Sequence, residues 1–201
     1  MSPAASSARA IVAVLAGGAG SRLGQSKPLA ELGGVPLLEH AVAAARESGL
    51  PTIVVAKGAT RVPALDAGIV VEPDQPVHPL VGAVAALRFA AGVDVVTLPC
   101  DMPFVPPALL SLLASLEGAA TVEHVSGPQP LLSRLPASSR PSLERALAAG
   151  ASAQAAIAAL APRIIGPREL TSFGDPERVF FNVNTREELR RAEEWLAAPA
   201  G

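Results

Sequence analysis

The sequence holds one cysteine, Cys100, no tyrosine, and only 3% aromatic residues. A single cysteine excludes an internal disulfide and a cysteine-based zinc cluster. Three histidines, at positions 40, 78 and 124, fall in no recognisable pairing, so acid–base work by imidazole is not expected. Charge is balanced, with a net of −2 and basic residues scattered along the chain. Broad binding to nucleic acid or to a membrane surface is therefore not expected. The uncharged run 146–162 is mostly alanine broken by Gly150, Ser152 and Gln154, too short and too weakly apolar to span a bilayer. The opening MSPAASSARA lacks a basic stretch followed by an apolar one, so no signal peptide is expected. A soluble cytoplasmic protein follows as the expectation, with residues 1–9 flexible.

What the chain has instead is aliphatic surface to bury. Half of its 201 residues are hydrophobic, and a chain of this length is expected to form about one domain with a real core. No repeat, low-complexity block or linker divides it, so residues 1–201 are read as a single domain.

The most informative stretch is IVAVLAGGAGSRLGQSK, residues 11–27. Ile11, Val12, Val14 and Leu15 form a β-branched apolar run of the kind that makes a buried parallel strand. It stops at Gly17, Gly18 and Gly20, which let backbone approach a ligand closely because no Cβ intervenes. Successive free N–H groups in such a turn cradle anions, and Arg22 and Lys27 add formal charge. The loop is not a Walker A, because Lys27 follows Ser26 and precedes Pro28. Nor is it a clean dinucleotide fingerprint, since Gly18 and Gly20 would require glycine where Leu23 stands. A tight strand-to-loop turn would also place glycines here.

Further along, strand-like and helix-like segments alternate. Leu37, Leu38, Ala41, Val42 and Ala45 recur at helical spacing until Gly49 and Pro51. Residues 52–56 (TIVVA) and 68–72 (GIVVE) read as strands, and Leu80, Val84, Leu87 and Ala91 as a helix closed by Gly92. Residues 93–98 (VDVVTL) form a fourth strand, and Leu109, Leu112, Leu113 and Leu116 a third helix. Such alternation predicts an α/β fold with βαβ units and a mostly parallel sheet. Residues 120–125 and 130–135 are expected to be strands, with antiparallel pairing open to them. Helices are expected over 138–149 and 152–160, and strands over 163–166 and 178–183 (RVFFNV). Thr185 with Glu188 predicts a capping box for a last helix with Leu189, Ala192 and Leu196 facing inward.

In parallel sheets ligands gather outside the carboxyl ends of strands. This rule places the glycine loop and Asp101 on one rim. Asp101 follows an apolar strand and is framed by Pro99 and Pro103, which fix the backbone and deny it a helical role. A carboxylate so held is either a helix cap or a metal ligand. The next helix is best placed to begin near Pro106, too far for Asp101 to cap it. Facing a phosphate loop, an aspartate suits Mg²⁺, which takes one or two carboxylates plus substrate phosphates.

LAGGAGSRLGQSK, LGGVPLLEH, HPLVG, LPCDMPF, QPLL and FNVNT together resemble the molybdenum cofactor guanylyltransferases, across residues 11–196. The resemblance implies a Rossmann-like three-layer α/β/α nucleotidyltransferase fold. It also implies transfer of GMP from GTP to the phosphate of Mo-molybdopterin, with Mg²⁺ and with pyrophosphate as the second product. On this likeness Leu15, Ala16, Gly17 and Gly18 match the segment that contacts the nucleotide. Lys27 matches a lysine on its phosphates, Asp74 an acid near the nucleotide, and Asp101 the magnesium ligand. Asn182 and Asn184 match the acceptor side, and Arg22 would join Lys27 in taking charge from the departing pyrophosphate. Transient contact with cofactor-insertion proteins or molybdoenzymes is a further implication.

Three positions depart from the pattern: Leu23 where methionine is usual, Ser26 where aspartate is common, and Ala56 where a polar residue often touches the nucleotide. Related cytidylyltransferases read LAAG where this chain reads LAGG, so Gly17 leans toward guanine. The alternatives are a transferase of the same fold using CTP, or another phosphate acceptor such as a sugar phosphate or a phospholactate. A nicotinamide oxidoreductase is disfavoured by Leu23 and by Ala56-Lys57, where an acid would bind ribose. Retention of both Lys27 and Asp101 argues against a catalytically silent binding protein.

Overall fold

The computed structural model describes residues 10–17, 23, 26–125 and 127–197. The first strand, β1 (Ala10–Leu15), is followed by a 3-10 turn at Lys27–Leu29 and a small antiparallel ladder, β2 (Glu31–Leu32) with β3 (Val35–Pro36). Then come α1 (Leu37–Glu47), β4 (Thr52–Lys57), β5 (Gly68–Glu72), α2 (Leu80–Ala90), β6 (Asp94–Pro99) and α3 (Pro107–Ser115). The second half holds β7 (Ala120–His124), β8 (Gly127–Leu135), α4 (Arg140–Ala148), α5 (Ala153–Ala158) and β9 (Arg163–Ile165). It ends with α6 (Pro167–Leu170), α7 (Pro176–Val179) and α8 (Arg186–Ala197).

Seven strands form one sheet in the order β5-β4-β1-β6-β8-β7-β9. Pairings β4–β5, β1–β4, β1–β6 and β7–β9 are parallel, and β8 is antiparallel to both of its neighbours. The sheet is thus mostly parallel, as the alternating pattern predicts, and the expected antiparallel pair is β7–β8. Consecutive side chains of a strand point to opposite faces. Val12, Val14, Val54, Val96 and Leu98 therefore pack on the α1/α3 side, while Ala13, Ile53, Val55 and Val95 pack on the α2/α4/α5 side. The result is three α/β/α layers.

A smaller cluster of Leu23, Ala30, Leu32, Leu37, Val183 and Ala192 sits beneath α8. It joins the segment that carries Lys27 to the segment that carries Asn184. The capping box forms: the Glu188 backbone N–H donates to Thr185 Oγ1 at 3.2 Å, and Glu188 Oε2 accepts from the Thr185 and Asn184 N–H groups at 2.8 and 2.7 Å. Among the described residues, no helix is long and apolar enough to cross a membrane.

Two expectations fail. Residues 178–183 form no strand. Asp175 accepts a hydrogen bond from the Glu177 N–H at 3.0 Å, and Pro176 occupies the first turn, so the chain starts helix α7 instead. An N-cap with proline behind it overrides the β propensity of Val179, Phe180 and Phe181. Leu196 does not face inward either; it lies over Gly33 but stays 43% exposed, because Ala192 and Leu189 supply the inner face of α8.

Candidate active site

The order of the sheet reverses around β1, whose neighbours β4 and β6 lie on either side, and this opens a crevice at the carboxyl ends of the strands. Backbone hydrogen bonds then assemble the rim. The Leu15 carbonyl accepts from the Cys100 N–H at 3.1 Å, which sets the turn after β6 against the end of β1. The Asp101 carbonyl accepts from the Val183 N–H at 2.8 Å, which brings residues 182–184 to the same place.

Three side chains meet there. Lys27 Nζ donates to Asp101 Oδ2 at 2.8 Å and to Asn184 Oδ1 at 2.6 Å. The Lys27 and Asp101 side chains are only 14% and 16% exposed, so the pair is substantially desolvated. Their sequence separations, 74 and 157 residues, make this a purely tertiary constellation. Asn184 is in turn anchored through its own N–H by Glu188.

Lys27 and Asp101 border a cleft of about 270 Å³ that Leu15, Gly17, Glu72 and His78 also line. Ala16 is buried beneath it, its N–H donating to the Val55 carbonyl. Gly18 and Arg22 lie outside the described residues. Asn182 stands apart, its Nδ2 donating to the Phe180 carbonyl at 3.2 Å. Asp74 does not line the cleft: it is exposed, and its backbone carbonyl accepts from Lys57 Nζ at 2.9 Å.

Besides Asp101, the acid that faces the cleft is Glu72, only 6% exposed. Strand parity was the signal for it: Glu72 shares a face with Val70, which packs on the α2 side. Its carboxylate lies between two glycines. A Cβ on Gly17 would come 1.9 Å from Glu72 Oε1, and one on Gly82 would come 2.8 Å from Oε2. Glycine at position 17 therefore leaves room for the Glu72 carboxylate, which any larger side chain there would have to push aside. Ala56 is buried, and the neighbouring Lys57 reaches over instead, its Nζ 3.9 Å from Glu72 Oε1.

Burial pushes the Glu72 carboxyl above its ordinary value of 4.5; Lys57 opposes this and Asp74 adds to it. Between 4.5 and the raised value, the native chain holds a proton that the unfolded chain has lost, so Glu72 lowers stability as pH rises through that window. Glu72→Gln is expected to melt higher than the parent at neutral pH. The two should converge below pH 4.5, where both states are protonated, as thermal denaturation at the two pH values would report.

The remaining reactive groups are disarmed. Burial, with the Asp101 charge next in weight, pushes the Cys100 thiol up to about 12, so no thiolate is offered. The Leu80 N–H donates to His78 Nδ1 at 3.2 Å, which leaves the imidazole proton on Nε2. His40 Nε2 lies 2.9 Å from the Leu32 carbonyl, and the His124 ring packs 5.5 Å from that of Phe180. No cluster of three or more His, Cys, Asp or Glu residues able to hold a metal ion occurs among the described residues. A cleft lined by two ammonium groups, Lys27 and Lys57, and two carboxylates, Glu72 and Asp101, with its one thiol held protonated, is equipped to position phosphates and neutralise charge.

Residues 12–164 match the model of the MobA-like NTP transferase domain. This chain belongs to that family. A molybdenum cofactor guanylyltransferase of Xanthomonas euvesicatoria pv. vesicatoria is 35% identical over 180 residues, covering 89% of this chain and 91% of the relative. One from Rhizobium leguminosarum bv. trifolii is 31% identical over 201 residues, covering 92% of each. Among solved structures, the molybdopterin-guanine dinucleotide biosynthesis protein A of Archaeoglobus fulgidus superposes with a TM-score of 0.78 at 30% identity, over 92% of this chain and 98% of that one. The MobA-like match ends before Asn184, so α8 and its capping box bring a site residue from outside the matched segment.

Proposed function

We propose that this member of the MobA-like family transfers GMP from GTP to the terminal phosphate of Mo-molybdopterin and releases pyrophosphate. The observation that carries the reading is the meeting of Lys27 with Asp101 on a cleft that also holds the Gly17–Glu72 contact. The names of the guanylyltransferase relatives support the choice of substrates.

In this reaction an acceptor phosphate oxygen attacks the α-phosphorus while the bond to the α–β bridging oxygen breaks, and the electron pair leaves with pyrophosphate. A phosphate monoester is mostly ionised near neutrality, its second pKa being about 6, so no general base is needed. That agrees with a site whose histidines hold local structural contacts. Lys27 takes the charge that builds on the phosphates, and Asp101 is the residue that would hold Mg²⁺. One hard carboxylate beside a phosphate site fits Mg²⁺, which completes its shell with substrate oxygens and water. When bound, the ion neutralises phosphate charge and polarises the reacting phosphorus.

Glu72 supports guanine. Its two oxygens are buried acceptors, and guanine presents two adjacent donors, N1–H and the exocyclic N2–H, whereas cytosine presents one amino group. Donors from the base also favour the ionised carboxylate that burial disfavours. Ala at position 17 would occupy the space of this carboxylate, which supplies a physical basis for the difference between LAGG and LAAG.

The test is pyrophosphate release with each of the four nucleoside triphosphates, with and without Mo-molybdopterin. Release confined to GTP plus Mo-molybdopterin is expected; equal release with CTP, or with a sugar phosphate as acceptor, overturns the assignment. Gly17→Ala should lower the preference for GTP over CTP in kcat/KM by about 10- to 100-fold, corresponding to a hydrogen bond to a charged group worth about 1.5–3 kcal/mol.

A further inference from the structure

We infer that Lys27 gates the metal position: its ammonium closes Asp101 to a divalent cation until phosphate draws it away. The inference rests on the reading that Asp101 takes the cation.

Three observations carry it. The ammonium sits directly on Asp101 Oδ2, at 2.8 Å, so a cation approaching that oxygen meets a positive charge already in place. The pair is largely desolvated, where repulsion between like charges is weakly screened. Among the described residues, no group of three or more acidic, histidine or cysteine side chains is placed to hold a metal ion instead. With Asp101 paired to Lys27, and Glu72 in the same cleft paired to Lys57, these four groups leave no net negative charge to attract Mg²⁺.

The remaining geometry supplies the way out. A lysine ammonium has three donors. Among the described residues two are used, on Asp101 and Asn184, which leaves a third for a phosphate oxygen. Asn184 is neutral and is fixed through its N–H by Glu188, so it keeps hold of Lys27 whether or not Asp101 does. Phosphates entering beside Lys27 attract its ammonium, free the Asp101 oxygen and bring their own negative charge to the cation. Metal and nucleotide then bind with positive coupling, and by reciprocity each tightens the other to the same degree.

The experiment measures Mn²⁺ binding to the full chain by electron paramagnetic resonance and by water-proton relaxation, without nucleotide and then with an α,β-methylene analogue of GTP. Without nucleotide, Lys27→Met is expected to bind Mn²⁺ at least about tenfold more tightly than the parent, within the roughly 5- to 150-fold span of site-to-site couplings. Lys27→Arg, which keeps the charge, should stay as closed as the parent. In the parent, enhanced relaxation from protein-bound Mn²⁺ should appear only with the analogue. Equal Mn²⁺ affinity in the parent and Lys27→Met overturns the gate. So does opening of Lys27→Arg to the level of Lys27→Met, since packing rather than charge would then be responsible. A Lys27→Met chain that also carries Asp101→Asn separates the two readings. Loss of Mn²⁺ binding there keeps the metal on Asp101, whereas retained binding overturns both the gate and the metal assignment it rests on.

Discussion

Asp101→Ala is expected to lower the rate of pyrophosphate release by about 10²-fold or more, the range for losing one preorganised charge-stabilising group. The turn that carries the carboxylate is held at the end of β6 by backbone bonds: the Cys100 N–H is fixed on Leu15 and the Asp101 carbonyl on Val183. Removing the side chain therefore leaves the turn in place and the fold intact. What it removes is the acid proposed for the metal and the carboxylate that Lys27 bonds. Lys27→Ala should cost a similar factor, and the double variant much less than the product, because residues that act as a unit are non-additive. Single-turnover rates with a circular dichroism check on folding would decide this. Near-parental turnover by Asp101→Ala would remove the metal role from this residue.

The largest effect on stability is expected at the opposite end of β6. Asp94 accepts from an Arg134 guanidinium nitrogen and from the Ala137 N–H at 2.8 Å, while Arg134 also donates to the Gly118 carbonyl. The pair thus ties the start of β6 to the end of β8, where the sheet changes from parallel to antiparallel pairing. The Arg134 side chain is 6% exposed and that of Asp94 24%. Breaking a buried pair leaves an uncompensated charge and costs about 3–5 kcal/mol, and the low end applies to this partly open one. At about 2–4 °C per kcal/mol for a domain of this size, Asp94→Ala should lower Tm by roughly 10 °C. Adding Arg134→Met should recover much of the loss, since an apolar residue leaves no stranded charge. A drop of only a degree or two would show that the pair contributes little.

The parts of this molecule legible in the sequence are those written by local pattern. The β-branched run before Gly17, the helical spacing from Leu37 to Ala45, and the Thr185–Glu188 box each form as their residues dictate. Prolines on either side of Asp101 signalled a fixed acid at a strand end, and the strand-end rule brought it to the rim with Lys27. The joint between Lys27 and Asn184 could not be read, because it depends on residues 182–184 folding back onto Asp101 across most of the chain. The acid on the cleft wall is Glu72 and not the Asp74 singled out by resemblance: Asp74 lies beyond Pro73, past the end of β5, whereas Glu72 is the last residue the strand aims inward. At residues 178–183 β propensity pointed to a strand, and a single Asp-Pro cap outweighed it.

The anchoring of Asn184 by Glu188 ties the contact on Lys27 to the integrity of the first turn of α8. Helices that bury little apolar surface open at lower cost than sheet interiors, and α8 is rich in charge and buries only Ala192 completely. Once its first turn frays, the grip on Lys27 goes with it, even while all seven strands remain paired. Heat is thus expected to loosen the Lys27 contact through α8 before the sheet yields.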